Sequence, residues 1–269
     1  MITSSAEKVG GYLVLGLAAV MALYPMVLIL TTALGPDRVG ASGGLHPENF
    51  VTAWDRGGFS TYMWNSVLVS VAVVVLSTAL ACLAGYAFGT MRFRGSGVLF
   101  YLLLLGMMVP SEAVVVPLYY DLRTLGLTDS YFSLVMPQVA QSLGFGTFWM
   151  RAYFRSTSRD VVDAARIDGA GHGRILWSIL LPMGRPAVLT MVLLVFMWTW
   201  NEFLLPLVMI TDESRRTAPL GLSNFQGQYT SGTALLAAAA VLVALPVVLV
   251  FLLTQRHFIR GMVEGAAKG

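Results

Sequence analysis

Charged residues and lysine are both scarce in this sequence of 269 residues. Only 12% of the residues are charged, whereas a typical soluble domain has about 25%. Lysine occurs only as Lys8 and Lys268, and neither stands in the Gly-Lys-Ser/Thr context that a phosphate-binding loop requires. The sequence therefore excludes ATP hydrolysis by a P-loop within this chain.

The histidine and cysteine residues do not form a recognisable metal-binding or catalytic motif either. His46, His172 and His257 are far apart and lack metal-ligand spacing, and no G-x-S-x-G nucleophile elbow occurs. The single cysteine, Cys82, lies in an apolar run, where we interpret it as a packing residue. We therefore expect the chain not to be an enzyme, and to bind no metal or cofactor itself.

Long apolar segments dominate the sequence instead. Hydrophobic residues make up 57% of the chain and its mean hydropathy is +0.73, which indicates an integral membrane protein. Six segments are near the roughly 20 residues that cross the hydrocarbon: 12–34, 65–89, 98–118, 131–150, 187–210 and 234–254. We predict an all-α polytopic membrane protein with six transmembrane helices, forming one transmembrane domain over residues 1–269. The fourth segment is the most polar, and we expect it to face protein.

The basic residues divide unequally between the two sets of loops. If the N-terminus is cytoplasmic, twelve of the 17 Lys and Arg residues lie on the inner side. The others lie outside: Arg38, Arg56, Arg123, Arg215 and Arg216. Because cytoplasmic loops of membrane proteins are enriched in Lys and Arg, this distribution predicts that both termini are cytoplasmic.

One polar segment, residues 157–182, separates the fourth and fifth predicted spans. Thr157 and Ser158 are suitable helix N-caps. Gly169 lies in a glycine-rich stretch that predicts a turn, and a second apolar helical run follows, which we expect Pro182 to limit. The pattern predicts two helices joined by a turn, able to dock into a groove on a partner.

The spacing in this segment resembles the EAA loop of ABC-importer permeases. In that family EAA is followed after three residues by Gly, and after nine more by I-x-L-P. Here Asp163 takes the place of the usual Glu, and every other position matches. The family's loop faces the cytoplasm and contacts the ATPase subunit. The resemblance implies these ATPase-coupling residues: Asp163, Ala164, Ala165, Arg166, Asp168, Gly169, Ile179, Leu181 and Pro182.

Other motifs are similar to permeases of the maltose-transporter type, on the side of the shorter six-span subunit. They are Trp64-Asn-Ser66, Met107-Met-Val-Pro110, Trp200-Asn-Glu-Phe203 and the tail from Arg260. The resemblance implies an importer of a sugar or oligosaccharide in a bacterial-type inner membrane. Its partners would be a second permease in a heterodimer, two copies of a cytoplasmic ATPase carrying ATP and Mg²⁺, and an extracytoplasmic solute-binding protein. Membrane lipid is expected to surround the chain, and no nucleic acid is expected.

Four polar residues are candidates for the substrate pathway: Gln138, Gln141, Asn201 and Glu202. Glu112 and Glu202 lie in or near spans, where a charge costs roughly 2.5–3.5 kcal/mol on insertion scales. Each is either a polar cavity wall or a residue that reaches water at the outer interface.

Two alternatives stay open at this stage. An ion-coupled secondary transporter is the first, although such carriers are expected to show intramembrane acids and often an inverted repeat. A non-transporting scaffold or receptor is the second. Co-purification with an ATPase separates both from an ABC importer.

Overall fold

The computed structural model describes residues 5–36, 44–225 and 233–266, with side chains from Lys8 to Gln255 inside these ranges. The regular structure of this part of the chain is helical throughout, as predicted. The helices in chain order are α1 Ser5–Ala33, α2 Glu48–Arg56, α3 Phe59–Thr90, α4 Ser96–Met108, α5 Ser111–Thr124, α6 Tyr131–Ser156, α7 Arg159–Ile167, α8 His172–Arg174, α9 Leu181–Met183, α10 Arg185–Trp200, α11 Leu204–Met209, α12 Ala218–Gly221 and α13 Thr233–Ala266. A π-helical turn, Ile175–Leu180, joins α8 to α9.

Three of these helices are long and apolar enough to cross a membrane: α1 from Lys8, α3, and α13 as far as Gln255. Two bent pairs qualify if each is one span, namely α4 with α5 and the run His172–Met183 with α10. The fourth predicted span lies in α6, which has 26 residues but is not among the qualifying helices. Six spans with both termini inside therefore stays a prediction.

The third predicted span, 98–118, is broken before Pro110. The axes of α4 and α5 differ by 96°. Val109 adopts an extended backbone, with φ −75° and ψ 120°, as the steric demand of a following proline favours. Pro117 lies inside α5 without ending it. The break places Glu112 in the first turn of α5, where the positive helix end stabilises a carboxylate.

The fifth predicted span, 187–210, is interrupted between α10 and α11. The side chain of Asn201 donates to the backbone O of Met197 at 2.7 Å, and the Glu202 carboxylate accepts from the backbone N of Leu205 at 2.9 Å. Pro206 has no N–H to continue the helical ladder. Side chains thus supply some of the hydrogen bonds that the backbone loses at this break.

The larger of two units comprises residues 61–220 and the described residues from Pro246 onward. Within it α6 contacts α4, α10 and α11, and the core includes Leu134, Met150, Leu180 and Met191. At Gly85 of α3 an added Cβ would lie 2.6 Å from the Cβ of Met150. Small residues at such contacts let membrane helices pack closely, so the helix pair α3–α6 depends on this glycine.

The smaller unit comprises the described residues of 1–60 and 221–245. Buried Asn49 of α2 donates its amide to the backbone O atoms of Ala33 and Gly35, both at 2.9 Å. The rings of Phe59 and Phe225 stack with centroids 6.4 Å apart. The region between the first and second predicted spans thus contains the short helix α2, whereas Arg38 lies outside the described residues.

One loop contact in the larger unit, which we call the Asp129 clasp, joins the α5–α6 loop to the chain after α11. The Asp129 carboxylate accepts hydrogen bonds from the backbone N atoms of Thr211 at 2.7 Å and Asp212 at 2.9 Å, and from the Thr211 hydroxyl. Arg215 donates to the backbone O of Asp129. Asp129 has φ 53°, a left-handed conformation that Asp tolerates better than most residues.

The electrostatic balance at the clasp favours the charged carboxylate. Burial by itself raises the pKa of Asp129, but the hydrogen bonds from Asp212 and Thr211 and the charge of Arg215 outweigh it. The pKa of Asp129 therefore lies below its usual value.

The Trp64-Asn-Ser66 motif fastens the same loop to α3. The Asn65 amide donates to the backbone O atoms of Ser214 and Arg216, both at 2.9 Å, and its oxygen accepts from the Tyr131 hydroxyl at 2.8 Å. Ser66 accepts from the backbone N of Ala218 at 2.8 Å. The Trp64-Asn-Ser66 motif, which carries part of the resemblance to permeases, therefore also holds the loop after α11 against α3.

Candidate functional site

The segment predicted to contact the ATPase, residues 157–182, corresponds in the structure to Ser158–Gly184, which we call the coupling segment. It begins with a capped helix. Ser158, rather than Thr157, is the N-cap of α7, and its hydroxyl accepts from the backbone N of Asp160 at 3.2 Å. Thr157 instead ends α6. Asp160 lies in the first turn of α7, where a carboxylate suits the positive helix end.

A Schellman motif at Gly169 ends α7. The N–H of Gly169 donates to the backbone O of Arg166 at 3.0 Å, and the N–H of Ala170 donates to that of Ala165 at 2.9 Å, which is the bond pair that defines this motif. Gly169 has φ +78°, and nothing lies within 4 Å of an added Cβ. The glycine is therefore required by the backbone conformation and not by crowding.

The second half of the segment is one helical run, His172–Met183, that contains the π-helical turn. Pro182 lies inside this run and does not limit it; the run ends one residue later, at Met183. Ile175, Leu176 and Leu180 are buried in the core. The run thus anchors the segment, and it bends by 81° into α10.

Two tyrosines outside the segment hold it in place. The Tyr153 hydroxyl of α6 donates to the backbone O of Leu180 at 2.8 Å. The Tyr86 hydroxyl of α3 and Nδ1 of His172 are 3.0 Å apart and hydrogen bonded. Neither tyrosine was identified from the sequence. Tyr86 lies 86 positions from His172, and Tyr153 lies 27 positions from Leu180, so no local pattern links them.

The predicted coupling residues divide into an outward set and an anchoring set. Asp163 and Arg166 form an ion pair of 3.5 Å between side chains that are 63% and 49% exposed, which contributes only about 0.2–0.5 kcal/mol. Ala164, Asp168, Gly169 and Pro182 are also exposed, Ala165 is buried, and Ile179 and Leu181 are half-buried.

The sequence reading missed Ile167, the last residue of α7. Its side chain is 87% exposed, although apolar residues of that size are usually buried. The available signal was an aliphatic residue beside charged neighbours on a short polar helix. Ile167 gives the outward face of α7 an apolar contact point.

A cavity of about 400 Å³ opens among α4, α5, α6 and the chain before and within α11. Most of its wall is apolar, and its polar side chains include Glu112, Gln138, Gln141 and Glu202. Of the four pathway candidates, the structure brings together Gln138, Gln141 and Glu202. Asn201 does not line this cavity, because it caps the end of α10.

The polar side chains of the cavity differ in their exposure and in their hydrogen bonds within the chain. Gln138 is buried and its amide donates to the backbone O of Leu134 at 2.8 Å. Glu202 accepts from Leu205, whereas Gln141 is exposed. The buried Gln138 agrees with the expectation that α6 faces protein, and Gln141 is the more available donor and acceptor.

A family model described as the binding-protein-dependent transport system inner membrane component matches residues 77–264. The chain belongs to this family. The match includes the whole coupling segment and the helices α4 to α11. Family membership confirms the predicted class, an ABC-importer permease located in the inner membrane, and favours ATP-driven import over an ion-coupled carrier.

Curated relatives of the permease are similar over most of its length. The trehalose transport system permease protein of Mycobacterium tuberculosis is 31% identical over 255 residues, which cover 92% of this chain and 93% of that protein. The maltodextrin transport system permease protein of Bacillus subtilis is 30% identical over 271 residues, which cover 98% and 97%. A probable ABC transporter permease protein of Bacillus subtilis is 36% identical over 224 residues, which cover 83% and 74%.

The fold of the permease also has a solved counterpart. A chain in the crystal structure of a bacterial ABC transporter involved in the import of the acidic polysaccharide alginate has a TM-score of 0.81 at 24% identity. The similarity covers 96% of this chain and 99% of that chain. This likeness confirms the all-α permease fold.

Proposed function

We propose that the permease forms half of the translocation pathway of a sugar or oligosaccharide importer, as one transmembrane domain paired with a second permease. The names of the trehalose and maltodextrin relatives support this solute class. The cavity supports it as well, since about 400 Å³ lies within the usual range of small-molecule sites. Sugar hydroxyls both donate and accept hydrogen bonds, and Gln141 and Glu112 offer matching groups.

The observation that carries the ATP-driven mechanism is the outward face of α7 on a rigidly held segment. Asp163, Arg166 and Ile167 face away from the core, while Ile175 and Leu180 fasten the following run into it. Such an element transmits motion, because a partner that moves α7 also moves buried side chains. The partner in this proposal is a cytoplasmic ATPase in two copies, which holds ATP and Mg²⁺; the permease itself binds neither.

The transport cycle follows from this arrangement. Closure of the ATPase dimer on ATP moves the two coupling segments together, and the helices that they anchor shift between inward-facing and outward-facing states. An extracytoplasmic solute-binding protein delivers the sugar from the side of the Asp129 clasp. The cavity side chains then receive it in the outward-facing state.

The test is uptake of labelled trehalose, maltose and longer oligosaccharides by cells that carry the full transporter, together with recovery of subunits by a tagged permease. We expect an ATPase, a second permease and uptake of at least one of these sugars. Recovery of the permease alone, repeated after crosslinking, would contradict ATPase docking. Absence of uptake for every sugar, with all subunits present, would contradict only the solute class.

A pair of variants tests the cavity itself. Gln141→Leu removes the exposed amide from the cavity wall and is expected to reduce uptake. The matched control is Gln255→Leu, which makes the same change on α13 at a residue that does not line the cavity. Equal uptake by the two variants would contradict the role of Gln141.

A further inference from the structure

A second concave surface lies between α3, the coupling segment and α10. This groove has a volume of about 570 Å³, and its walls are mostly aliphatic, with Val75 and Ala79 from α3 and Leu189 from α10. Cys82, the single cysteine of the chain, is also part of its wall. The walls suit a hydrocarbon chain and offer very little to a polar solute.

Trp177 of the coupling segment and Arg185, the first residue of α10, add an aromatic ring and a positive charge to the groove. Trp177 is 57% exposed, and tryptophan is enriched where membrane proteins meet the lipid headgroups. Arg185 is exposed, and among the described side chains no carboxylate lies within 4.0 Å of its guanidinium. An uncompensated cation beside an apolar groove is complementary to an amphiphile with an anionic head.

The length of the groove indicates what kind of amphiphile fits. Its wall on α3 runs from Val74 to Cys82, which at 1.5 Å per residue is about 12 Å. The hydrocarbon of a bilayer is about 30 Å thick, so the groove covers less than one full crossing. An acyl chain of one leaflet reaches through about half of that thickness, which is close to the length of the groove.

We propose that the groove binds an anionic glycerophospholipid of the cytoplasmic leaflet, with one acyl chain along α3 and α10 and the phosphate at Arg185. The predicted topology, with both termini cytoplasmic, puts the Arg185 end on the cytoplasmic side. Because the lipid contacts both α3 and the coupling segment, the anionic lipid content of the membrane affects how the two move together. The proposal depends on the chain lying in a membrane, and not on the solute or on ATPase docking.

The experiment is photolabelling of the full-length protein, purified with its accompanying subunits and reconstituted in phosphatidylcholine vesicles. A trace of phosphatidylglycerol, or in a parallel sample phosphatidylcholine, carries a photoactivatable group on its acyl chain. We expect the phosphatidylglycerol probe to label peptides that contain residues 74–82 and 188–192, and the phosphatidylcholine probe to label them more weakly.

Two variants and two matched controls locate the site. Arg185→Gln is expected to reduce labelling by phosphatidylglycerol about fivefold, the equivalent of about 1 kcal/mol for one arginine near an anionic surface. Ala79→Phe fills the groove and reduces labelling by both probes. Arg174→Gln removes a charge from the coupling segment outside the groove, and Val71→Phe adds a ring to α3 outside it; both are expected to label like the native protein.

Three results would overturn the proposal. The first is equal labelling of the native groove by the two probes, which removes the anionic preference. The second is labelling that Ala79→Phe leaves unchanged while the variant elutes as a monodisperse complex. The third is absence of lipid labelling in the native protein, with a crosslinker attached at Val75→Cys, an exposed position of the groove wall, capturing a helix of the second permease instead.

Discussion

The Asp129 clasp and helix α7 are both short polar regions next to apolar helices, but they use their charges differently. In the clasp, the carboxylate of Asp129 accepts three hydrogen bonds from Thr211 and Asp212, and Arg215 closes the loop. On α7, Asp163 forms an ion pair with Arg166 at 3.5 Å, and Ile167 is 87% exposed.

The charged groups of the clasp stabilise the fold, whereas the charged groups of α7 are exposed and can contact another protein. A buried or hydrogen-bonded charge contributes to the free energy of folding and is costly to remove. An exposed ion pair contributes little and can exchange its partner at little cost. The backbone of the coupling segment is therefore held by the turn at Gly169 and by the buried side chains Ile175 and Leu180. The exposed side chains of α7 contribute little to the stability of the fold.

The largest expected effect comes from Gly169→Val, which breaks the fixed backbone of the coupling segment. A β-branched residue is strongly disfavoured at φ +78°, and left-handed backbone costs about 1–2 kcal/mol even for ordinary residues. We expect uptake to be abolished while the variant stays in the membrane, measured by transport and by immunoblot of membrane fractions.

Gly173→Ala is the control for that variant, because Gly173 is helical and nothing lies within 4 Å of an added Cβ. Its uptake is expected to be normal. Normal uptake by Gly169→Val as well would show that the turn is not needed for coupling.

Removal of the clasp carboxylate has the next largest effect. Asp129→Ala loses hydrogen bonds to a charged group, worth about 1.5–3 kcal/mol, and places alanine in a left-handed conformation. We expect the midpoint of thermal unfolding to fall by several degrees, measured on the purified protein. Asp121→Ala, at an exposed position in the last turn of α5, serves as the control and is expected to leave the midpoint unchanged; equal midpoints for the two variants would contradict the clasp.

Ile167→Asp tests the other side of the comparison. Burial of an isoleucine at an interface contributes about 1.5–3 kcal/mol, so recovery of the ATPase with the tagged permease is expected to fall about tenfold or more. The thermal midpoint is expected to stay constant, since the side chain is exposed, and Ile167→Leu is expected to retain the ATPase. A lowered midpoint with full ATPase recovery would place Ile167 in the fold instead.

The smallest effect is the pH dependence of the clasp. The pKa of Asp129 is lower in the folded chain than its unfolded value of about 3.9. Its stabilisation is therefore fully present above that value, and is lost as the pH falls through the lower folded pKa. The difference in thermal midpoint between the native protein and Asp129→Asn is expected to shrink from neutral toward strongly acidic pH. A difference that stays constant would show that charge is not the cause.

Local features of the chain were readable without a structure. The apolar segments, the coupling segment and the need for glycine at position 169 each depend on neighbouring residues. The prediction for Pro182 was wrong because a helical run that contains a π-turn continues through it. Asn201 was grouped with the pathway residues from its polarity alone, whereas its amide bonds to Met197 within the same helix.

The sequence by itself determined that the chain is helical, resides in a membrane and contains a polar segment of two helices joined by a turn, because transfer free energy and helix signals are properties of short stretches. Only the tertiary structure decided that the axes of α4 and α5 differ by 96° and that Glu112, Gln141 and Glu202 line one cavity. It also decided that Tyr86 and Tyr153 form hydrogen bonds with the coupling segment. These depend on contacts between residues far apart in the chain, whose pairing is set by how helices pack and not by any local pattern.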